Sequence, residues 1–190
     1  MVMHAIRVKP PTREGDAVSA ELAARFEAIR TELSVPDEFP APVLAEAERA
    51  AASPTLPERD ETDVPFLTID PPGSMDLDQA MHLARDGDGY RVRYAIADVP
   101  AFVVAGGEVD AETRRRGETI YAPDRRTPLH PPVLGEGAAS LLPDQARPAF
   151  VWDLRLGADG VVTQAQVYRA VVRSTDRFDY EGVQKSIDSG

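Results

Sequence analysis

Thr68-Ile69-Asp70-Pro71-Pro72-Gly73-Ser74-Met75-Asp76-Leu77-Asp78-Gln79 is the stretch that decides how this chain is read. It places three carboxylates within nine residues, and no Lys or Arg occurs between positions 65 and 82 to neutralise them. Like charges a few ångströms apart repel by about 1 kcal/mol in water and several-fold more where water is partly excluded. Apolar residues flank the cluster, so either one carboxylate stays protonated or a bound cation supplies the missing charge. An all-oxygen donor set favours hard ions, Mg²⁺ or Mn²⁺, over zinc. Taken alone, the same residues beside a Pro-Gly turn read sooner as an ordinary solvated loop, so the cluster needs support from the rest of the chain.

Local geometry extends outward from this stretch. Residues 65–69, rich in β-formers, predict a short strand. Asp70 precedes a proline and is held extended, and Pro71-Pro72-Gly73-Ser74 suits a type II turn with Gly73 at the positive-φ position. The turn folds Asp70 back towards Asp76 and Asp78. A strand over 76–84 puts those two on one face and Leu77, Met81 and Leu83 on the other. His82 comes next and reads as a packing or surface residue outside the site. Asp86-Gly87-Asp88-Gly89 is a hairpin turn, since the remaining positions of a calcium loop are missing.

Further along, Tyr90, Val92, Tyr94 and Ile96 alternate with Arg91, Arg93 and Ala95, a half-buried strand pattern. Residues 108–116 predict a helix stopped by Gly117. A Pro-rich irregular loop over 119–137 carries Tyr121, Arg125, Arg126 and His130, and loops of this length are often functional. Taken alone, Tyr121 reads as half-buried packing. Phe150, Trp152, Leu154 and Leu156 then share one face of a hairpin that turns at 157–160 and returns over 161–172. A helix is predicted over 180–187.

Ahead of the cluster, Val18, Leu22, Phe26, Ile29 and Leu33 recur at three- and four-residue steps, predicting an amphipathic helix that packs on the chain downstream of it. A second helix is predicted over 42–52 and a linker over 53–63. The expected organisation is a helical N-terminal segment and linker over 1–60, then a main unit over 61–190. The expected fold class is α+β, a mainly antiparallel β-sheet with short helices.

With 190 residues, 43% of them hydrophobic, the chain can bury a core. Without cysteine it has no disulfide, thiolate metal site or cysteine nucleophile. It shows no apolar run of membrane-spanning length and no signal-peptide pattern, which leaves the cytoplasm as the expected location. A formal net charge of −11 opposes simple electrostatic binding of nucleic acid, so any such role must be local. Arg91, Arg93, Arg114, Arg115, Arg116, Arg125 and Arg126 gather downstream of the cluster, either as mixed surface or as phosphate-facing groups.

The motifs in order resemble a family. T-I-D-x(5)-D-x-D is followed by a hairpin and by Ala95-Ile96-Ala97-Asp98-Val99. Next come Asp110-Ala111-Glu112 and Arg116-Gly117-Glu118-Thr119-Ile120-Tyr121. Pro131-Pro132, Ser140-Leu141-Leu142, Arg147-Pro148-Ala149 and a hairpin through Gly157-Ala158-Asp159-Gly160 complete the run. This is similar to the start of the catalytic RNB domain of the ribonuclease II and ribonuclease R exoribonucleases, over about residues 65–187.

The resemblance implies a partial RNB-like domain in a hydrolase. Such an enzyme digests single-stranded RNA from the 3′ end and releases nucleoside 5′-monophosphates with Mg²⁺, or Mn²⁺, as cofactor. Asp70, Asp76 and Asp78 match the family's metal-holding acids, and Asp78 matches the catalytic aspartate whose loss abolishes cleavage more than binding. Tyr121 matches the aromatic that stacks on a base near the 3′ end, which reverses its reading as packing. Arg125 and Arg126 are the accompanying RNA-binding candidates. Gln79 stands where the family has a fourth aspartate; its amide oxygen can coordinate a metal but brings no charge. The family's domain continues further, with arginines that clamp phosphates, so this chain is expected to cleave weakly or not at all. A non-catalytic RNA-binding or regulatory module with a degenerate metal site is the alternative.

Overall fold

The computed structural model describes residues 16–189, with side chains from residue 20 onward; the Val18 side chain of the expected helical stripe lies outside the described ones. Two helices lead, α1 (Asp16–Glu32) and α2 (Ala41–Ala52), as the periodicity predicts. Strands β1 (Asp60–Ile69), β2 (Gln79–Asp86) and β3 (Gly89–Ala97) come next, then α3 (Glu108–Arg116) and a small ribbon of β4 (Ile120–Tyr121) and β5 (Arg126–Thr127). A π-helical turn, Leu134–Ala138, leads to the long strands β6 (Ala146–Leu156) and β7 (Val162–Phe178) and to α4 (Tyr180–Ser189).

The expectation of a mainly antiparallel sheet needs one correction. Strands β1, β2, β3, β6 and β7 form a closed barrel, and it is shut by a parallel pairing of β1 with β7 that runs from Asp60 opposite Val171 to Ile69 opposite Phe178. The other barrel pairings are antiparallel. Closure removes the open edges that an unpaired strand would expose.

A five-stranded barrel is narrow, so small residues fill its interior. Ala80, Ala95, Ala97, Ala149 and Ala170 line it, with Phe66, Leu77, Leu141, Val151 and Val172 between them. The alternation read from sequence is present, but the large apolar face of β3 and β6 points outward. Tyr90 and Trp152 are exposed, while Arg91, Arg93 and Asp153 take the inner positions. At that end of the barrel Arg91 grips Asp153 through two bonds of 2.8 and 2.5 Å, and the Tyr168 hydroxyl donates to Glu61 over 2.9 Å. The Arg91 bond, acting first, against the opposing cost of burial, holds the Asp153 carboxyl down at about 2. Burial and Glu61 push the Tyr168 phenol up to about 12.

A second core joins the N-terminal segment to the opposite side of the barrel. Val43 and Ala47 of α2 pack with Ala101, Phe102, Val109, Leu134 and Ala139. Glu46 of α2 accepts the Glu108 and Val109 amides at 2.9 and 3.2 Å, capping α3 from another element, where a carboxylate also suits the helix dipole. By contrast α1 does not bury its apolar stripe: Leu22, Ile29 and Leu33 are exposed. It is tied down by charge instead, Arg30 making two 3.0 Å bonds to Asp124.

Candidate active site

The acidic stretch lies at the end of the barrel away from the Arg91 and Asp153 pair, between the end of β1 and the start of β2. The predicted turn is present: Gly73 has φ +85° and the Ser74 amide donates to the Pro71 carbonyl over 3.1 Å. The predicted strand over 76–84 begins three residues late, at Gln79, because Met75 and Leu77 are pinned by the loop around Ser140, and only Asp78 reaches the end of β3. Ser140 donates its hydroxyl to the Met75 carbonyl at 2.6 Å and accepts the Leu77 amide at 2.9 Å. The Leu141 amide donates to the Leu77 carbonyl, and the Ala97 amide to the Asp78 carbonyl, each over 2.9 Å. Leu77 is thereby fully buried while Asp76 and Asp78 turn the other way, but the expected continuation of its face to Leu83 fails: Leu83 is exposed and Ala80 buried, because the inward parity changes where β2 begins.

Asp70, Asp76 and Asp78 line a single cleft of about 590 Å³ together with Tyr121, Arg126 and Glu136. A smaller recess of about 100 Å³ adjoins it, where Asp76, Asp78 and Glu136 meet His130. Asp70 is anchored through its amide, which donates to the Phe178 carbonyl at 3.1 Å, so its position depends on the last strand. Tyr121 is 73% exposed and stands at the cleft mouth, opposite Arg126 on the ribbon.

The electrostatics follow from this crowding. Asp78 opens to the solvent of the cleft, yet the protein packed around it desolvates its carboxyl and, with repulsion from Asp76 and Asp70, raises its pKa against the weaker pull of Arg126. Asp70 is raised too, mainly by desolvation and further by Asp76, with Arg177 opposing. Arg126 supplies the cation that the local sequence lacks. Its Nη1 lies 2.6 Å from Asp76 Oδ2, and its Nη2 bonds to Glu136 Oε1. Burial alone would lower its pKa, but Asp76, Glu136 and Tyr121 together outweigh that and the net shift is upward.

The structure separates the remaining candidates. Arg125, adjacent to Arg126, points out of the cleft and pairs with Asp37 at 3.1 Å and Glu27 at 3.5 Å, tying the ribbon to the N-terminal segment. Gln79 is exposed at the start of β2, opposite Ile96, and does not line either cavity. Glu136 and Ser140 were not among the residues picked from sequence as site residues. Ser140 belonged to a motif of the resemblance, but nothing local marks Glu136.

An oxygen-only set in which two carboxyls are pushed towards protonation by desolvation first and by neighbouring acids second suits a hard dication, which would relieve both. Among the described residues no three acidic or histidine side chains are yet grouped closely enough to share one ion, Asp76 being turned towards Arg126.

Comparison with known proteins bears on the same region. The family described as RNB domain matches residues 58–190. Exoribonuclease 2 of Vibrio vulnificus is 33% identical over 133 residues, covering 69% of this chain and 20% of that protein. Ribonuclease R of Acidithiobacillus ferrooxidans is 34% identical over 155 residues, covering 78% of this chain and 35% of that protein. Ribonuclease R of Mycoplasma genitalium, solved in complex with double-stranded RNA, superposes with a TM-score of 0.78 at 27% identity over 88% of this chain and 30% of that one. The chain thus spans about a fifth to a third of the length of these relatives. Since the family match takes in all seven strands of the described residues and the whole acidic cleft, this protein belongs to the RNB domain family.

Proposed function

We propose that this chain carries the metal-holding side of a 3′-to-5′ exoribonuclease site acting on single-stranded RNA and releasing nucleoside 5′-monophosphates. The observation that carries the reading is the convergence of Asp70, Asp76 and Asp78 on one cleft whose mouth presents an exposed tyrosine. Asp70, Asp76 and Asp78 would hold Mg²⁺ or Mn²⁺, which when bound supplies activation of the attacking water and stabilisation of the leaving oxygen. In this reading Asp78 is the catalytic carboxylate, desolvated and repelled by both Asp76 and Asp70, a burden that a bound cation relieves. Tyr121 stacks on a base near the 3′ end, and Arg126 faces the phosphates. Arg125 is an RNA contact only if it leaves Asp37 and Glu27, and Gln79 a ligand only if it turns into the cleft. The division into an N-terminal segment over 1–60 and a catalytic unit over 61–190, and a cytoplasmic location, belong to the same proposal. No helix among the described residues is long and apolar enough to cross a membrane.

The test is incubation of this chain with Mg²⁺ and 5′-labelled single-stranded RNA across a wide enzyme range. Stepwise shortening from the 3′ end is expected only at high enzyme concentration, since Arg126 is the cation lining the cleft and Arg177 the one at its edge. Asp78→Asn is expected to abolish it while leaving RNA binding in place; equal cleavage by the two proteins would sink the proposal.

A further inference from the structure

Arg126 reaches the cleft from β5, fifty positions beyond Asp76 in sequence, and its two terminal nitrogens go to two different carboxylates, Asp76 and Glu136. All three side chains are about one-third exposed. Ion pairs in that range of exposure are weak and exchange readily, because solvent competes for both partners. Asp76 is also one of the three acids assigned to the metal. The guanidinium already holds Oδ2 of that carboxylate at 2.6 Å, so a dication drawing on the same oxygen competes with it.

Resting on the reading of the cleft as a metal and phosphate site, we propose that Arg126 is a resident counter-ion that a divalent cation displaces from Asp76, with Glu136 as the positioning residue that keeps the freed guanidinium at the cleft wall to meet an RNA phosphate. A dication carries twice the charge of the guanidinium and gathers several oxygens at once, so it wins Asp76. The loss of one arm does not release Arg126, because the other stays on Glu136. The freed face of a planar fork matches the geometry of a phosphate, which a lysine would not reproduce. Glu136 thus adds no charge to the metal; it sets where the arginine waits. The arrangement keeps the metal-free cleft partly neutralised and turns the same cation towards substrate once metal has taken over that task.

The test measures Mn²⁺ binding to the whole chain by loss of the electron paramagnetic resonance signal of free Mn²⁺, without RNA. Arg126→Gln is expected to tighten binding about three- to tenfold. Glu136→Gln leaves Arg126 with Asp76 alone and is expected to weaken it by a similar factor. The double variant is expected to match Arg126→Gln, because Glu136 acts through Arg126. A double variant binding more weakly than Arg126→Gln would make Glu136 a ligand and overturn its positioning role. Unchanged or weaker binding by Arg126→Gln, with wild type binding well and Asp78→Asn not, would overturn the counter-ion alone. Absence of binding by wild type and every variant would overturn the metal reading beneath it. For the phosphate half, Arg126→Gln is expected to lower affinity for a nuclease-resistant 2′-O-methyl oligo(A) only when Mn²⁺ is present. The salt slope should then fall by about 0.7, one phosphate's share for a single strand. Equal loss with and without Mn²⁺, or no binding of the oligonucleotide at all, would overturn that half.

Discussion

Leu77 donates its amide to the Ser140 hydroxyl over 2.9 Å, a bond spanning 63 residues that fixes the peptide between the two cleft acids. The same hydroxyl donates to Met75, and Ser140 is buried. Ser140→Ala leaves a buried amide and a carbonyl without their partner, at about 2 kcal/mol. A fall in Tm of roughly 4–8 °C is expected for a chain of this size. Since the peptide carrying Asp76 and Asp78 is loosened as well, the rise in Tm produced by Mn²⁺ should shrink; an unchanged melt would show that Ser140 does not hold the loop.

Asp78 is the acid on which metal should act most visibly. An ion bound only by the folded chain adds about 2.7 kcal/mol at a hundredfold excess over its Kd, or roughly 5–10 °C in Tm. Asp78→Asn should lose most of that rise. Without metal the order reverses: a carboxyl whose pKa is raised on folding costs stability once it ionises, above its folded pKa. Asp78→Asn should therefore melt higher than wild type at pH 7 in chelator, and lower in Mn²⁺. Differential scanning calorimetry in the two buffers checks the crossing.

At the far end of the barrel the pH dependence has the opposite sign. Asp153 titrates at about 2 against its usual 3.8, so its bonds to Arg91 and Gln166 contribute fully above about pH 4 and are lost as pH falls through about 2. Arg91→Met leaves the buried Asp153 carboxylate with Gln166 but without its ion pair and should cost about 3 kcal/mol at pH 7, the low end of the range because Gln166 remains and Arg91 is partly exposed. Denaturant melts should show the deficit narrowing towards pH 3, where the orphaned acid can protonate. A constant deficit would count against the ion pair as its cause.

Tyr121 touches solvent over most of its side chain, so its removal should leave the melt within about 0.5 kcal/mol. If it stacks on RNA, Tyr121→Ala should weaken binding of a single-stranded oligonucleotide by about 1–3 kcal/mol while Tyr121→Trp keeps it. Fluorescence anisotropy with the three proteins separates stacking from a merely exposed side chain.

The parts of the cleft that the sequence announces are those whose geometry is local. Asp70, the turn at Gly73 and the alternation of Asp76, Leu77 and Asp78 lie within one short stretch, where proline, glycine and a single buried leucine each constrain the next residue. Arg126 and Glu136 enter from another loop, and no local pattern says that one arginine of a pair turns inward while Arg125 turns out to Asp37. A two-residue ribbon is too short to show alternation. The barrel was hidden for a different reason: β3 and β6 do alternate, but a narrow barrel puts alanines inside and leaves Tyr90 and Trp152 outside, the reverse of what hydrophobicity suggests. The parallel closure of β1 on β7 joins distant segments and leaves no mark on either.

That closure also sets an order of events during synthesis. Strands β1, β2 and β3 emerge early and can zip through short hairpin contacts, whereas β1 waits for β7 before its outer edge is covered, a pairing of long loop-closure distance and correspondingly slow formation. Asp70 takes its backbone anchor from Phe178, the last residue of that final strand. A nascent chain released before position 178 would therefore hold Asp76 and Asp78 through Ser140 but leave Asp70 unanchored beside an uncovered edge of β1. The cleft is complete only once β7 has paired with β1, and chains stalled short of that pairing keep an open sheet edge exposed to association and proteolysis.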